Sequence, residues 1–91
     1  MAFKLIFPVS YQKRERAFLE KHPDLKARYY KTLLLTEQNP LHPSLRLHAL
    51  QGKLVGLHSI SLSRRYRITL ELELRDQEIV FINIGSHGEV Y

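Results

Sequence analysis

The residues best suited to chemistry are five histidines and an arginine-rich set of cations. His48 lies just before the strand-rich half of the chain, and His87 follows the last apolar strand through Gly85. Arg67 lies in a strand between them. Two imidazoles and one guanidinium suit RNA cleavage without a metal. One imidazole takes the proton of the 2′-hydroxyl, the other protonates the leaving 5′-oxygen, and the guanidinium stabilises the charged phosphorane.

Other chemistries have less support in the sequence. No two histidines stand at i, i+4 on a predicted helix, and no carboxylate motif accompanies them, so no metal site is predicted. No serine nucleophile with a base and an orienting acid stands out, and there is no glycine-rich phosphate loop. His58 shares strand parity with Ile60 and is expected to face the core. His22 and His42 adjoin prolines and are expected at the surface.

Length and composition predict one soluble domain over residues 1–91, with 44% hydrophobic and 25% charged residues. The absence of cysteine fits a cytoplasmic protein, and no apolar run approaches the roughly 20 residues that span a bilayer. Of the 14 basic residues, 13 lie in residues 1–67, whereas five of the nine acidic residues lie in residues 68–91. Such a basic body suggests RNA or DNA as a partner, the alternative being a solvated surface.

The first half of the chain predicts a strand and a helix hairpin. Alternation in "FKLIF" predicts a half-buried strand that stops at Pro8. Apolar spacing predicts helices over about 11–21, with Ser10 as N-cap, and about 24–38. The proline-rich segment that follows, "PLHPSLRLHALQG", is predicted to be a connection.

From Lys53 onward the hydrophobic period becomes two, which predicts strands in "LVGLHSISL", "YRITLELEL" and "IVFINIG". Short turns join these strands, so they are expected to pair antiparallel, and the last one, nearly all apolar, is expected at the centre of the sheet. The predicted fold is therefore a two-layer α+β domain, with the N-terminal strand and helix hairpin on one face of an antiparallel-rich sheet.

The other face of the predicted sheet is polar and partly basic. Its residues come from neighbouring strands: Ser59, Ser61, Arg67 and Thr69. We expect this face to be open and to receive a ligand.

The carboxyl-terminal half also carries four ordered motifs: "LHALQG", "SIS", "YRI" and "IGSHGEVY". With these motifs the chain resembles the RelE/ParE superfamily of bacterial toxins, and is most similar to the YafQ-like and RelE/StbE-like mRNA interferases of type II toxin–antitoxin systems. The resemblance implies a microbial-ribonuclease-like sheet whose concave face receives mRNA in the ribosomal A site. It further implies metal-independent cleavage by 2′-hydroxyl attack and inhibition of translation, with no cofactor.

The resemblance also implies roles for individual residues. His48 matches the histidine before the "L-x-G" segment of YafQ-like toxins, and Arg67 matches the arginine of the "Y-R" motif, expected to hold the scissile phosphate. His87 matches the histidine of the terminal "G-T-H" motif, which reads "GSH" in this chain. Tyr91 matches the terminal aromatic residue, which positions or stacks the substrate.

The chain departs from these families between residues 58 and 65. YafQ-like toxins have a second histidine and an aspartate where this chain has "SLSRR", and RelE has lysines where it has His58, Ser59 and Ser61. Arg64 and Arg65 are candidates to replace a missing cation, the alternative being a charged turn. The predicted substrate contacts are Ser59, Ser61, Arg64 and Arg65, and the departures leave open which histidine is acid and which is base.

Proteins of this superfamily are usually encoded beside an antitoxin that wraps and blocks the toxin, so a cognate antitoxin is the expected partner. Two alternatives to the nuclease remain: a ParE-like inhibitor of DNA gyrase, and an inactive protein of the same fold. The presence of both His48 and His87 favours the nuclease.

Overall fold

The computed structural model describes residues 2–86 and Gly88. Two α-helices and five strands follow in the order β1, α1, α2, β2, β3, β4, β5. Their bounds are β1 Lys4–Ile6, α1 Val9–Lys21, α2 Lys26–Gln38, β2 His48–Ala49, β3 His58–Ser61, β4 Tyr66–Glu73 and β5 Glu78–Ser86. No helix in these described ranges is long and apolar enough to cross a membrane.

The five strands form one mixed sheet in the order β1-β5-β4-β3-β2. β1 runs parallel to β5, and the other three pairs are antiparallel. The expected interior position of β5 is confirmed, since it lies between β1 and β4. The α+β class and the antiparallel pairing of the last three strands are confirmed as well.

The helices cover one face of this sheet because their apolar stripes meet its apolar rows. Tyr11 of α1 and Phe81 of β5 are both fully buried, with ring centroids 5.4 Å apart, and Phe7 stacks on Phe81 at 4.7 Å. Phe18 closes the other end of the helix layer against Tyr66 of β4, edge to face at 5.1 Å. Aromatic contacts thus fix α1 across β5 and β4, the two strands that lead toward the predicted site.

Both helices differ in detail from the prediction. α1 begins at Val9, with Pro8 in the N-cap position, so Ser10 is inside the helix and is not its cap. α2 follows a short 3₁₀ turn at Pro23–Leu25. Its buried residues are Tyr29, Thr32 and Thr36, whereas Tyr30 and Leu34 are exposed. The threonine hydroxyls can be buried because each donates to the carbonyl four residues earlier.

The connection and the third strand also differ. The predicted strand "LVGLHSISL" is extended only over His58–Ser61, because Gly52 and Gly56 adopt positive φ values of 68° and 97° and turn the chain before it. The proline-rich connection contains the two-residue strand β2, which pairs with β3. His48 therefore lies at the edge of the sheet, since β2 is the edge strand.

Candidate functional site

The sheet register places His48 and Arg67 on the same face. His48 pairs with Ser59, which pairs with Thr69, and Arg67 follows two residues before Thr69 on β4. Directly opposed residues of antiparallel strands point to the same side, as do residues two apart on one strand. The Cα atoms of His48 and Arg67 are separated by two strand spacings across the sheet and by two residues along it, which gives a distance of about 12 Å. Their side chains therefore flank one shallow strip of the sheet.

The His48 imidazole is oriented by the backbone. Its Nδ1 lies 3.1 Å from the carbonyl oxygen of Arg46, and since a carbonyl oxygen only accepts, Nδ1 carries the proton. This leaves Nε2 as the basic nitrogen of the neutral ring. Arg46 adopts the left-handed conformation with φ 50°, and this brings its carbonyl to the imidazole.

Arg67 is half-buried, and its guanidinium makes no hydrogen bond or ion pair with any residue in the described part of the chain. A partly desolvated guanidinium without a carboxylate retains all five N–H donors for a ligand. Planar bidentate contacts to phosphate are the usual use of such a group.

The strip between His48 and Arg67 is more closed than the sequence predicts. Ser59 and Thr69, expected on an open face, are 0% and 1% exposed, so the expectation of an open face is wrong at these two positions. Among the described residues neither hydroxyl has a hydrogen-bond partner, although both oxygens are buried. The predicted contact between substrate and Ser59 stays a prediction, and it requires this strip to open.

The two arginines of the β3–β4 turn point to opposite sides of the sheet end. Ser63 shapes this turn by accepting hydrogen bonds at Oγ from the backbone nitrogens of Arg65 and Tyr66. Arg64 lines a cleft against α2, which we call the α2 cleft, and Arg65 lines a pocket against α1, which we call the α1 pocket. Ser61 also lines the α2 cleft, where its Oγ donates to the carbonyl of Ser63 at 3.1 Å.

The α2 cleft is strongly cationic. Its basic side chains come from α2, from the turn before β2 and from the β3–β4 turn: Arg28, Lys31, Arg46 and Arg64. No acidic residue of the described chain lines it, and the hydroxyls of Ser44 and Ser61 lie among the cations. An anion is the ligand that this combination fits.

The predicted roles of His87 and Tyr91 concern residues that lie outside the described part of the chain. Ser86, the last residue of β5, directly precedes His87 and lines the α1 pocket. The roles of His87 and Tyr91 therefore remain predictions from the sequence.

The remaining histidines lie away from this strip. The Nδ1 of His42 accepts from the backbone nitrogen of Ser44 and caps the turn at Pro43–Leu45. His58 is partly buried, and its buried Nδ1 has no hydrogen-bond partner among the described residues. His22, expected at the surface, is half-buried against Phe18 and Tyr66, with ring centroids 4.6 Å away in each case. The i, i+4 spacing of Phe18 and His22 on α1 could have indicated this contact.

Within the described residues, no group of three or more His, Cys, Asp or Glu side chains could hold a metal ion.

Comparisons with solved structures identify the fold. Over 100% of both chains, the protein is 26% identical to a copper-bound mutant toxin from Helicobacter pylori, with a TM-score of 0.74. It is 20% identical to YafQ from E. coli over 98% of each chain, with a TM-score of 0.74. For the E. coli DinJ–YafQ complex the values are 21%, 98% of each chain and 0.71. No protein-family model and no curated protein matches the chain.

The fold is therefore that of the small α+β toxins, with a helix hairpin on a five-stranded mixed sheet. The structural neighbours are YafQ, YoeB/ParE-like and H. pylori toxins, so the fold agrees with the fold that the sequence motifs indicate.

Proposed function

We propose that this protein is the toxin of a type II toxin–antitoxin system and that it cleaves mRNA on the ribosome without a metal. The observation that carries the proposal is the placement of His48 and Arg67 on one sheet face, with a partnerless guanidinium in the described chain and an oriented imidazole. The similar solved structures of toxins support the toxin role.

In the proposed reaction, Nε2 of His48 takes the proton of the 2′-hydroxyl. The 2′-oxygen attacks the adjacent phosphorus while the bond from phosphorus to the 5′-oxygen breaks, leaving a 2′,3′-cyclic phosphate and a 5′-hydroxyl. Arg67 holds the phosphate and stabilises the added charge of the phosphorane. His87 is the proposed acid that protonates the 5′-oxygen, and Tyr91 the proposed aromatic contact. His48 is assigned as the base because its backbone hydrogen bond favours the tautomer of the neutral ring in which Nε2 is the acceptor.

The proposed protein partner is a cognate antitoxin. Two of the similar solved structures are complexes, DinJ–YafQ and YoeB–YefM. The net charge of +5 and the cationic α2 cleft would favour an acidic antitoxin segment.

Sequencing of mRNA ends after brief induction tests the proposal. The Arg67→Ala variant should lower cleavage by about 10²–10³-fold, the cost of removing one donor to the transition state. A control is Arg75→Ala, which removes the same charge from the exposed β4–β5 turn at the other end of the strand. Circular dichroism should show the same fold in both variants.

Full cleavage by Arg67→Ala would refute the assignment of the phosphate site. If the wild-type protein cleaves no mRNA but arrests growth while DNA breaks accumulate, the nuclease proposal fails in favour of gyrase inhibition.

A further inference from the structure

We propose that the α1 pocket binds one nucleotide of the RNA substrate, with its base against an aromatic surface and its phosphate on surrounding cations. That the ligand is RNA rests on the proposed function. The pocket lies on the helix side of the sheet, beside the strand ends that lead to Arg67 and His87, and it would hold a nucleotide next to the scissile phosphate.

The pocket has the size of a nucleotide site. Its volume is ≈ 660 Å³, within the roughly 300–1,000 Å³ of small-molecule sites. It is formed at the corner where the carboxyl-terminal half of α1 meets the start of β4 and the end of β5. The residues used below are Arg14, Lys21, His22, Arg65 and Tyr66.

One wall of the pocket is aromatic. Phe18 is almost fully buried and supports the rings of His22 and Tyr66, which are half-buried and line the pocket. The His22 and Tyr66 centroids are 4.6 Å apart at an interplanar angle of 51°. Aromatic surfaces of this kind bind bases by stacking, which tolerates any sequence because every base has a π-face.

The other walls are cationic. Arg14, Lys21 and Arg65 line the pocket, and no acidic residue among the described lining does. Arg14 is held in place because its Nη1 donates to the carbonyl oxygen of Ile82 at 2.9 Å. The side chains of Lys21 and Arg65 make no hydrogen bond or ion pair with the described residues. A phosphate in the pocket would therefore meet cations that no carboxylate neutralises. The pocket thus offers a stacking surface and phosphate contacts in one cavity.

The pocket is connected to the candidate catalytic face through two strand ends. Tyr66 lines the pocket and Arg67, the next residue, lies on the opposite sheet face. β1 pairs with β5 only over Glu78–Val80, so it does not cover the edge of β5 near the pocket. An RNA strand that passes around this sheet end would reach both places with consecutive nucleotides.

An acidic protein segment is the competing occupant, since carboxylates would also meet the three cations. The aromatic wall favours a nucleotide, because a carboxylate gains little from the rings of His22 and Tyr66. A nucleotide would therefore depend on its base for binding, whereas an acidic protein segment would bind without one.

NMR titration of the full chain tests this difference. The probes are the four nucleoside 5′-monophosphates and, as a phosphate without a base, ribose 5-phosphate. We expect at least one nucleotide to shift the ring signals of His22 and Tyr66 and to bind about ten-fold more tightly than ribose 5-phosphate. The variant His22→Ala should remove most of this ten-fold difference, and Lys21→Ala should weaken both kinds of ligand.

The matched control is Lys13→Ala, which removes one exposed charge from α1 outside the pocket and should change neither affinity. Equal binding of nucleotides and ribose 5-phosphate, or shifts confined to residues outside the pocket, would overturn the inference. The outcome is separate from that of the Arg67→Ala experiment. Cleavage without nucleotide binding at His22 rejects only the pocket, whereas nucleotide binding without mRNA cleavage rejects only the nuclease.

Discussion

At the scale of single residues, the chemistry of the proposed site depends on which nitrogen of His48 is basic. The sequence predicts His48 and Arg67 as site residues, since the motifs that carry them are local. It could not predict the carbonyl of Arg46 that sets the tautomer, because that contact needs a left-handed backbone at a non-glycine residue. The departures between residues 58 and 65 leave the acid–base order open in the sequence.

We therefore predict a selective effect of His48→Gln on activity. Glutamine keeps a polar side chain but takes up no proton, so single-turnover cleavage should fall by about 10²–10⁴-fold. The free energy of unfolding should change by less than about 0.5 kcal/mol, since His48 is exposed on an edge strand. A stopped-flow cleavage assay and urea denaturation measure the two quantities. A loss of activity that parallels a loss of stability would contradict the assignment.

The buried hydroxyls of Ser59 and Thr69 give a second prediction at this scale. Because neither oxygen has a hydrogen-bond partner in the described part of the chain, the folded protein bears the cost of removing both from water. Replacing both by apolar residues of similar size, as in Ser59→Ala with Thr69→Val, should leave stability unchanged or raise it by about 1 kcal/mol. Thermal denaturation checks this. A decrease of more than about 1 kcal/mol would show that the hydroxyls have partners in the folded state.

At the scale of elements, a polar contact inside the apolar layer joins the two helices of the hairpin. The hydroxyls of Tyr11 and Tyr29 lie 2.8 Å apart, and Tyr29 donates to the carboxylate of Glu15. The 3.6-residue period predicted both helices but gave no sign of this contact, since it joins residues 18 and 14 positions apart. Hydrophobic period likewise could not predict β2, whose two residues follow from the pairing of β3.

Removal of this contact should be costly. Tyr29→Phe leaves the buried hydroxyl of Tyr11 and the carboxylate of Glu15 without this partner, so we expect a loss of about 1–3 kcal/mol in the free energy of unfolding. The adjacent Tyr30 is 47% exposed, and Tyr30→Phe should change stability by less than about 0.5 kcal/mol. Urea denaturation of the two variants gives the comparison. Equal stabilities would show that the hydroxyl contact contributes nothing.

The same two tyrosines predict an alkaline loss of stability. Burial raises the pKa of Tyr11, and burial followed by the charge of Tyr11 raises that of Tyr29, both well above the usual value. The folded protein therefore keeps protons that the unfolded chain loses above pH about 10. The stabilisation that comes from the two raised pKa values is fully present below pH about 10. Above that pH, the free energy of unfolding should fall by up to about 1.4 kcal/mol per pH unit for each tyrosine. Urea denaturation between pH 9 and 11 measures the slope, and a flat profile would contradict it.

At the scale of the whole molecule, charge is distributed along the length of the sheet. Glu71, Glu73, Asp76 and Glu78 lie toward the β4–β5 turn. The pKa of Glu73 is raised by a hydrogen bond with Glu71 and by repulsion from the same carboxylate, as expected for clustered acids. The basic residues of the α1 pocket and α2 cleft lie at the other end, about 24 Å away along β4. A polyanion should thus approach the end that carries Arg67.

This charge distribution predicts that RNA binding weakens as the salt concentration rises, and that the effect can be assigned to individual basic residues. For single-stranded nucleic acid, the logarithm of the affinity falls with the logarithm of salt concentration by about 0.7 for each phosphate neutralised. Contacts with four cations would weaken binding by about 50-fold between 50 and 200 mM salt. Fluorescence anisotropy with a labelled RNA oligonucleotide measures the slope.

Three variants that each remove one positive charge locate the contacts. Lys21→Ala in the α1 pocket and Arg64→Ala in the α2 cleft should each lower the slope by about 0.7. Lys13 lies on the exposed side of α1, outside the α1 pocket and the α2 cleft. The Lys13→Ala variant should therefore leave the slope unchanged, although it has the same net charge as the other two variants. If all three lowered the slope equally, overall charge rather than the two cationic sites would govern RNA binding. If only Arg64→Ala did so, the RNA would follow the α2 cleft alone and leave the α1 pocket to another ligand.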